Sequence, residues 1–247
     1  MSKKGFFSIQ SAATNHYPFK PLSPQYLRII EEAIRFSWRE LVAAPQPHGI
    51  HSLLDSDVGE VAISEALLRV LCGIQEAKER PVPAFSEHFE APTSDAGLRN
   101  FSGNVLGTRV DFCFRLKINP YPGTSKIYNG LFVEAKLIRQ DGSLSGYMGG
   151  GLIKFLRGDY AWAMPHAMML AYLRQTSQTL PNALNSFFDR LGNTKNFQLK
   201  SPARTSPVTR YLPRAYKTVH GRTWNHPAPH NQLAGHIEII HLWLNIA

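Results

Sequence analysis

The chain has 247 residues but only two cysteines, Cys72 and Cys113, which excludes a disulfide framework and any cysteine-based zinc cluster. The length suits one domain, or a core with decorations, and no apolar run is long enough to cross a bilayer. A formal net charge of +9 directs attention to polyanionic partners.

No signal-like apolar stretch follows Met1-Ser2-Lys3-Lys4, so a reducing cytoplasm is the expected setting. Residues 23–43 predict an amphipathic helix, with Ile29, Ile30, Ala33, Ile34 and Leu41 packing and Arg28, Glu31, Glu32, Arg35 and Arg39 mostly outward. Residues 45–51 read as a linker. The organisation expected is an N-terminal helical extension over 1–54 and one domain over 55–247.

A second helix is expected over 57–77, with Asp55, Ser56 and Asp57 as possible caps. Its apolar residues Ile63, Leu67, Val70, Leu71 and Ile74 cluster around the direction of Glu60, whereas Glu65 falls on the far side. An acid on a core face needs a partner, and a neighbouring metal or its water would supply one. Alternatively, Glu60 is a first-turn acid favoured by the helix dipole and kept wet. Residues 81–104 look rich in loop and are placed to cover a site.

Two strand-like segments follow. In 108–116, Val110, Phe112, Phe114 and Leu116 alternate onto one face and leave Asp111 on the other with Arg109 and Cys113. In 131–138, Glu134 and Lys136 share one face, while Leu131, Val133, Ala135 and Leu137 share the other. Turn residues at 119–125 make an antiparallel hairpin the economical connection. Such a hairpin brings two carboxylates and one ammonium to one rim. Two carboxylates suit a hard divalent ion, and a lysine beside them can orient a water or stabilise charge on phosphorus. The bland alternative is a set of solvated strand charges. Phe132, Val133, Leu137 and Ile138 argue against it, because they read as a strand that is nearly buried.

Residues 142–151 are rich in glycine and read as a mobile loop suited to close approach of a phosphate backbone, without the lysine-serine or lysine-threonine pair of a P-loop. Lys154 and Arg157, just beyond, are candidate phosphate contacts or an ordinary basic helix surface. A buried strand is expected over 167–173, with Met164, Met168 and Met169 as core filler. From 190 to 237 there is no Asp or Glu, yet Arg190, Lys195, Lys200, Arg204, Arg210, Arg214, Lys217 and Arg222 occur among Phe197, Tyr211, Tyr216 and Trp224. Basic residues interleaved with aromatics suit a nucleic acid, or else form a solvated excursion that serves solubility. His220, His226, His230 and His236 lack acids at ligand spacing and read as loop histidines. A final strand is expected over 235–244.

The residues Val110-Asp111-Phe112 and Val133-Glu134-Ala135-Lys136 resemble the pattern of the PD-(D/E)XK, or restriction-endonuclease-like, nucleases: an acid on one strand of a hairpin and acid-any-lysine on the next. Val110 stands where the family's name has proline. The resemblance covers roughly 57–173 and implies an α/β fold, a restriction-endonuclease-like core with a mixed central sheet flanked by helices. To this it adds a basic elaboration over 174–234 and a last strand at 235–245. It further implies a metal-dependent endonuclease, more expected on DNA than on RNA, with Mg2+ or Mn2+ as cofactor. Asp111, Glu134 and the Ala135 carbonyl would hold the metal, Lys136 would position the attacking water, and Glu60 would complete an outer or second metal shell. His220 and Arg222, in Val219-His220-Gly221-Arg222, look like a phosphate-binding pattern of some bacterial nucleases of this superfamily. With no ATPase motif visible, the expected partners are a second copy in a homodimer, or an ATPase or targeting subunit, as in restriction and antiviral defence. The rival expectations are a non-catalytic nucleic-acid-binding subunit and a structural protein whose basic tail docks on an acidic partner.

Overall fold

The computed structural model describes residues 19–94, 100–104, 109–118, 126–139, 143–176, 179–205, 215–227 and 231–246, without side chains for 203–205. Among them, six strands form one mixed sheet: β1 (Phe112–Phe114), β2 (Leu131–Ile138), β3 (His166–Arg174), β4 (Leu199–Thr205), β5 (Ala215–His220) and β6 (Ile237–Ile246), in the order β1-β2-β3-β6-β5-β4. The three central strands β2, β3 and β6 run parallel, and antiparallel strands flank them on both sides. A parallel centre covered on both faces requires strands that are apolar throughout. β3 meets this requirement, with all nine of its residues buried.

Helices α1 (Pro24–Ala43), α2 (Glu60–Glu76) and α3 (Pro83–His88) share one apolar cluster with Leu131, Val133, Ala135, Met168, Leu170 and Tyr172 of the sheet. The opposite face packs against a π-helix (Gly146–Leu152), α4 (Ile153–Leu156) and α5 (Asn182–Phe188), through Phe132, Met169, Ala171, Ile239 and Trp243. A single turn, α6 (Asn193–Asn196), precedes β4. Among the described residues no helix is long and apolar enough to cross a membrane.

The first helix is capped by Ser23, whose Oγ accepts from the Tyr26 amide. It is not a separable extension. Trp38 donates from Nε1 to Asn245 O at 2.9 Å and stacks on Tyr172, so α1 belongs to the main core. Nor does Glu31 face outward: it is buried at 2 % exposure against Arg35, because one turn of separation lets the guanidinium cover it.

The second helix begins at Glu60, three residues later than expected. Gly59 is its N-cap and makes no side-chain cap bond, so Asp55, Ser56 and Asp57 lie outside it. A cap is worth about 1 kcal/mol. Full burial of one side chain such as Ile63 or Leu67 contributes about 1.5–3 kcal/mol. Packing therefore sets this helix, and Ile63, Leu67, Val70, Leu71 and Ile74 are all buried as their spacing predicts.

Three expectations for the loops change. Residues 83–88 form α3, with Phe85 in the core. Gly146–Leu152 is a π-helix rather than a mobile loop. The acid-free segment supplies β4 and β5, two strands of the same sheet, rather than a solvated excursion. The connection 119–125 lies outside the described residues.

Candidate functional site

The hairpin forms, but β1 is only three residues long, with Phe112 opposite Val133 and Phe114 opposite Leu131. Asp111 sits at the bend just before it. The bend also turns Val110 away from Phe112 and Phe114, so Val110 packs on the other face of the sheet. Beyond Val133, β2 has no ladder partner on the β1 side among the described residues. Residues 133, 135 and 137 direct their backbone polar groups to that edge, because a strand alternates. The Asp111 amide donates to Val133 O at 3.1 Å. Next along the edge, the Ala135 amide donates to Asp111 Oδ2 at 2.7 Å, and the Leu137 amide donates to Glu60 Oε2 at 3.0 Å. Two carboxylates, one from the bend and one from the first turn of α2, thus replace the carbonyls of a missing strand.

Glu134 lies on the face covered by the π-helix and α4, with its side chain 2 % exposed. Its Oε1 takes two ammoniums, Lys136 Nζ at 2.8 Å and Lys154 Nζ at 2.7 Å. Its Oε2 is buried and has no hydrogen-bond partner among the described residues. Lys136 also reaches Glu60 Oε1 at 2.7 Å and Ala135 O at 2.7 Å, which ties the strand to α2.

The electrostatics follow from this crowding. Burial, then the Glu134 charge, pushes the Asp111 carboxyl up to about 6, against the opposing pull of the Ala135 amide and Lys136. Burial is the largest single influence on Lys136 and works to lower its pKa. The charges of Glu134 and Glu60 and the bonds to them outweigh it and hold Lys136 well above the usual lysine value. Lys154 is raised by the same balance, burial opposing and Glu134 prevailing.

Gly151 explains how a helix can lie so close to a buried carboxylate. A Cβ there would stand 2.5 Å from Met169 Cε and 3.4 Å from Glu134 Cγ. At Gly150 a Cβ would stand 3.9 Å from Lys136 Cε. π-turns are rare and concentrate at functional sites, and this one delivers Lys154 to Glu134.

No family model, no curated protein and no solved structure matches this chain. The site therefore has to be read from its own geometry.

That geometry brings together Asp111, Glu134, Ala135, Lys136, Glu60 and Lys154, and leaves the other candidates apart. Arg157 is exposed on the turn after α4, and among the described residues no carboxylate of the cluster pairs with it. His220 is fully buried on β5, not in a loop. Arg222 is 3 % exposed and cannot present itself to a phosphate, because its guanidinium donates to Ala234 O at 2.6 Å and Met164 O at 3.1 Å. Within the basic segment, Lys217 pairs with Glu238 at 2.6 Å and Phe197 is buried, whereas Arg190, Lys195 and Lys200 are exposed.

His220 belongs instead to a buried chain of hydrogen bonds. Its Nδ1 is 2.7 Å from Phe197 O, its Nε2 is 2.7 Å from Thr218 Oγ1, and Thr218 Oγ1 is 2.8 Å from His241 Nε2. His241 Nδ1 is 2.8 Å from the Tyr147 hydroxyl. Phe197 O can only accept, so Nδ1 of His220 carries the proton and Nε2 accepts from Thr218. Thr218, its hydrogen engaged, must accept from His241 Nε2–H, and His241 Nδ1 then accepts from Tyr147. Every hydrogen points one way with both imidazoles neutral. Burial pushes His220 down to about 4, and burial with the neighbouring His220 pushes His241 well below the usual value. Tyr147 lies on the π-helix, so the chain fastens that helix to β5 and β6.

Sequence reasoning missed Tyr147, Thr218, His241 and the pairing of Lys154 with Glu134. The triple glycine 149–151 was the one local signal of close approach, and it points to Glu134 and Met169 rather than to a phosphate.

Among the described residues no group of three or more His, Cys, Asp and Glu side chains is arranged to hold a metal ion. Glu60 is turned away to Lys136 and the Leu137 amide. The donor set that remains is Asp111, Glu134 and the Ala135 carbonyl. It fits a hard divalent ion in two respects: all its donors are oxygens, and Glu134 Oε2 is a buried carboxylate atom without a partner.

Proposed function

We propose that the open edge of β2 is the active site of a divalent-metal-dependent nuclease, an endonuclease acting on DNA in preference to RNA. The observation that carries this reading is Glu134. It is a fully buried carboxylate with one oxygen held by two ammoniums, the other oxygen unpartnered, and Asp111 close enough to be raised by its charge. A buried carboxylate oxygen without a hydrogen-bond partner is costly even when the charge is paired, and a functional ligand is the reading that gives it a use. The order helix with Glu60, hairpin with Asp111, then Glu134-Ala135-Lys136 also agrees with the resemblance to PD-(D/E)XK nucleases.

Asp111, Glu134 and the Ala135 carbonyl would hold Mg2+ or Mn2+. Such an ion supplies polarisation of the scissile phosphate and a more acidic water. The chain's own residues do the rest. Asp111 and Glu60 keep the edge of β2 in one geometry, and the two lysines set positive charge beside the place where phosphoryl charge develops. Exposed Arg190, Lys195 and Lys200 add a sequence-independent attraction for a polyanion. A homodimer mate, or an ATPase or targeting subunit as in restriction or antiviral defence, would supply selection of the target.

One observation favours a second reading, a nucleic-acid-binding subunit that does not cut. Asp111 and Glu60 satisfy the orphan amides of Ala135 and Leu137, so the cluster also serves as an edge cap. Cleavage of plasmid DNA and of a structured RNA with magnesium or manganese separates the two. Metal-dependent nicking by wild type and none by Glu134→Gln is expected. Equal cleavage by both proteins would remove the site, and binding without cleavage would favour the second reading.

A further inference from the structure

Within the nuclease reading, on which this step rests, the two lysines of the cluster are not equivalent. An ammonium has three N–H donors and no acceptor. Lys136 Nζ meets three acceptors at once: Glu60 Oε1 at 2.7 Å, Ala135 O at 2.7 Å and Glu134 Oε1 at 2.8 Å. Its donors are saturated, and its side chain is only 17 % exposed. Any contact with a water or a phosphate would require it to release a carboxylate or the strand carbonyl.

Lys154 is placed otherwise. Among the described residues its Nζ has one hydrogen-bond acceptor, Glu134 Oε1 at 2.7 Å. Nζ also lies over the Tyr160 ring, 5.3 Å from its centroid. That ring is fixed in turn by the Tyr160 hydroxyl, which donates to Arg109 O at 2.9 Å, two residues from Asp111. Lys154 is the more exposed ammonium, at 26 %. It therefore keeps two donors unengaged while being held within one carboxylate of the proposed metal ligands.

We infer that Lys154, not Lys136, is the catalytic ammonium: its Nζ contacts a non-bridging oxygen of the scissile phosphate, and Lys136 is a positioning residue that binds α2 and Glu134 to β2. The assignment reverses the expectation from acid-any-lysine spacing. It also gives the π-helix a purpose, since Gly150 and Gly151 bring α4 close enough for a helical lysine to share Glu134 with a strand lysine.

Four proteins test it: wild type, Lys154→Ala, Lys136→Ala and, as the conservative control, Lys154→Arg. The first readout is fluorescence anisotropy with a short DNA duplex in chelator, titrated with salt. Lys154→Ala is expected to weaken binding and to reduce the magnitude of the salt slope by about one, with Lys154→Arg retaining it. Lys136→Ala is expected to keep the slope and to lower the melting temperature, because it leaves Glu60 and Glu134 short of a partner. Single-turnover cleavage with Mn2+ is expected to fall on the order of 10²-fold or more in Lys154→Ala. The second readout needs no nucleic acid: reductive methylation followed by mass spectrometry, in which Lys154 is expected to react well before Lys136. Unchanged salt slope and cleavage in Lys154→Ala, with wild type active, would overturn the assignment. Earlier modification of Lys136 would overturn the division of labour by itself. Wild type that neither binds nor cuts nucleic acid would instead overturn the nuclease reading, and the phosphate contact with it.

Discussion

Two of the polar clusters buried among the described residues are built on opposite terms. The chain Tyr147–His241–Thr218–His220 is neutral, and each donor in it finds an acceptor until the run ends on the Phe197 carbonyl. The cluster of Asp111, Glu134, Glu60, Lys136 and Lys154 is charged and crowded, and it leaves Glu134 Oε2 unpartnered. The first cluster costs little to bury because its groups satisfy one another. The second keeps its charges only through mutual pairing, and a buried ion pair is weak evidence for stability. A satisfied network belongs to the scaffold, and the unsatisfied charged one is where we propose that a ligand binds. The π-helix touches both, through Tyr147 on one side and Gly151 on the other.

The largest expected effect breaks the charged side. Glu134→Gln removes the shared counter-charge of two ammoniums and a proposed metal ligand. Cleavage is expected to fall on the order of 10³-fold, the upper end for loss of one electrostatic stabiliser, because the proposed ion loses a ligand. The matching break of the neutral side is Thr218→Val, which leaves His241 Nε2–H without an acceptor and His220 Nε2 without a donor. Each buried orphan costs about 1–3 kcal/mol. In a chain of this size that corresponds to a fall of several degrees in melting temperature. Cleavage per folded molecule is expected to stay within about threefold of wild type, which calorimetry combined with a single-turnover assay would check.

Acid separates the clusters by sign. His220 is held at about 4 in the fold and titrates near 6.5 when unfolded. The unfolded chain thus binds the extra proton, and stability is lost as pH falls from about 6.5 towards 4. Asp111 works the other way. At about 6 in the fold against 3.8 unfolded, it gives a folded state that binds the extra proton, so its contribution improves as pH falls through 6. In metal-free protein, Asp111→Asn is therefore expected to melt about 2–4 °C above wild type at pH 7.5, with the difference shrinking as pH falls below 6 and vanishing only near 3.8. A difference independent of pH would show that the Asp111 charge is not what the fold opposes.

The smallest effect concerns the shared helix. Gly151→Ala places a methyl 2.5 Å from Met169 Cε, the flexible end of a side chain, and 3.4 Å from Glu134 Cγ. A cost of about 1 kcal/mol in thermal unfolding is expected, because helix propensity offsets part of the clash.

The charged cluster was the more legible of the two in the sequence. Period-two alternation in 131–138 separates Glu134 and Lys136 from Leu131, Val133 and Ala135, and the structure keeps that division. Helical spacing set Glu60 apart from Glu65, and Glu60 does reach β2 while Glu65 is exposed. What stayed hidden depends on partners distant in the chain. Nothing local to Thr218 announces His241, and nothing near Lys154 announces Glu134. The same limit explains β4 and β5. The basic, proline- and serine-rich segment that holds them reads as loop, and they become strands because the apolar β6 offers β5 an edge and β5 in turn offers one to β4. Val110 shows the converse, where one bend at Asp111 overrides an otherwise regular alternation.

The central claim is that the unpartnered oxygen of Glu134 is a metal ligand, and calorimetric titration of the purified protein with Mn2+ tests it most directly. One binding site is expected in wild type, lost in Glu134→Gln and retained in Thr218→Val. No binding to wild type, or undiminished binding to Glu134→Gln, would contradict it.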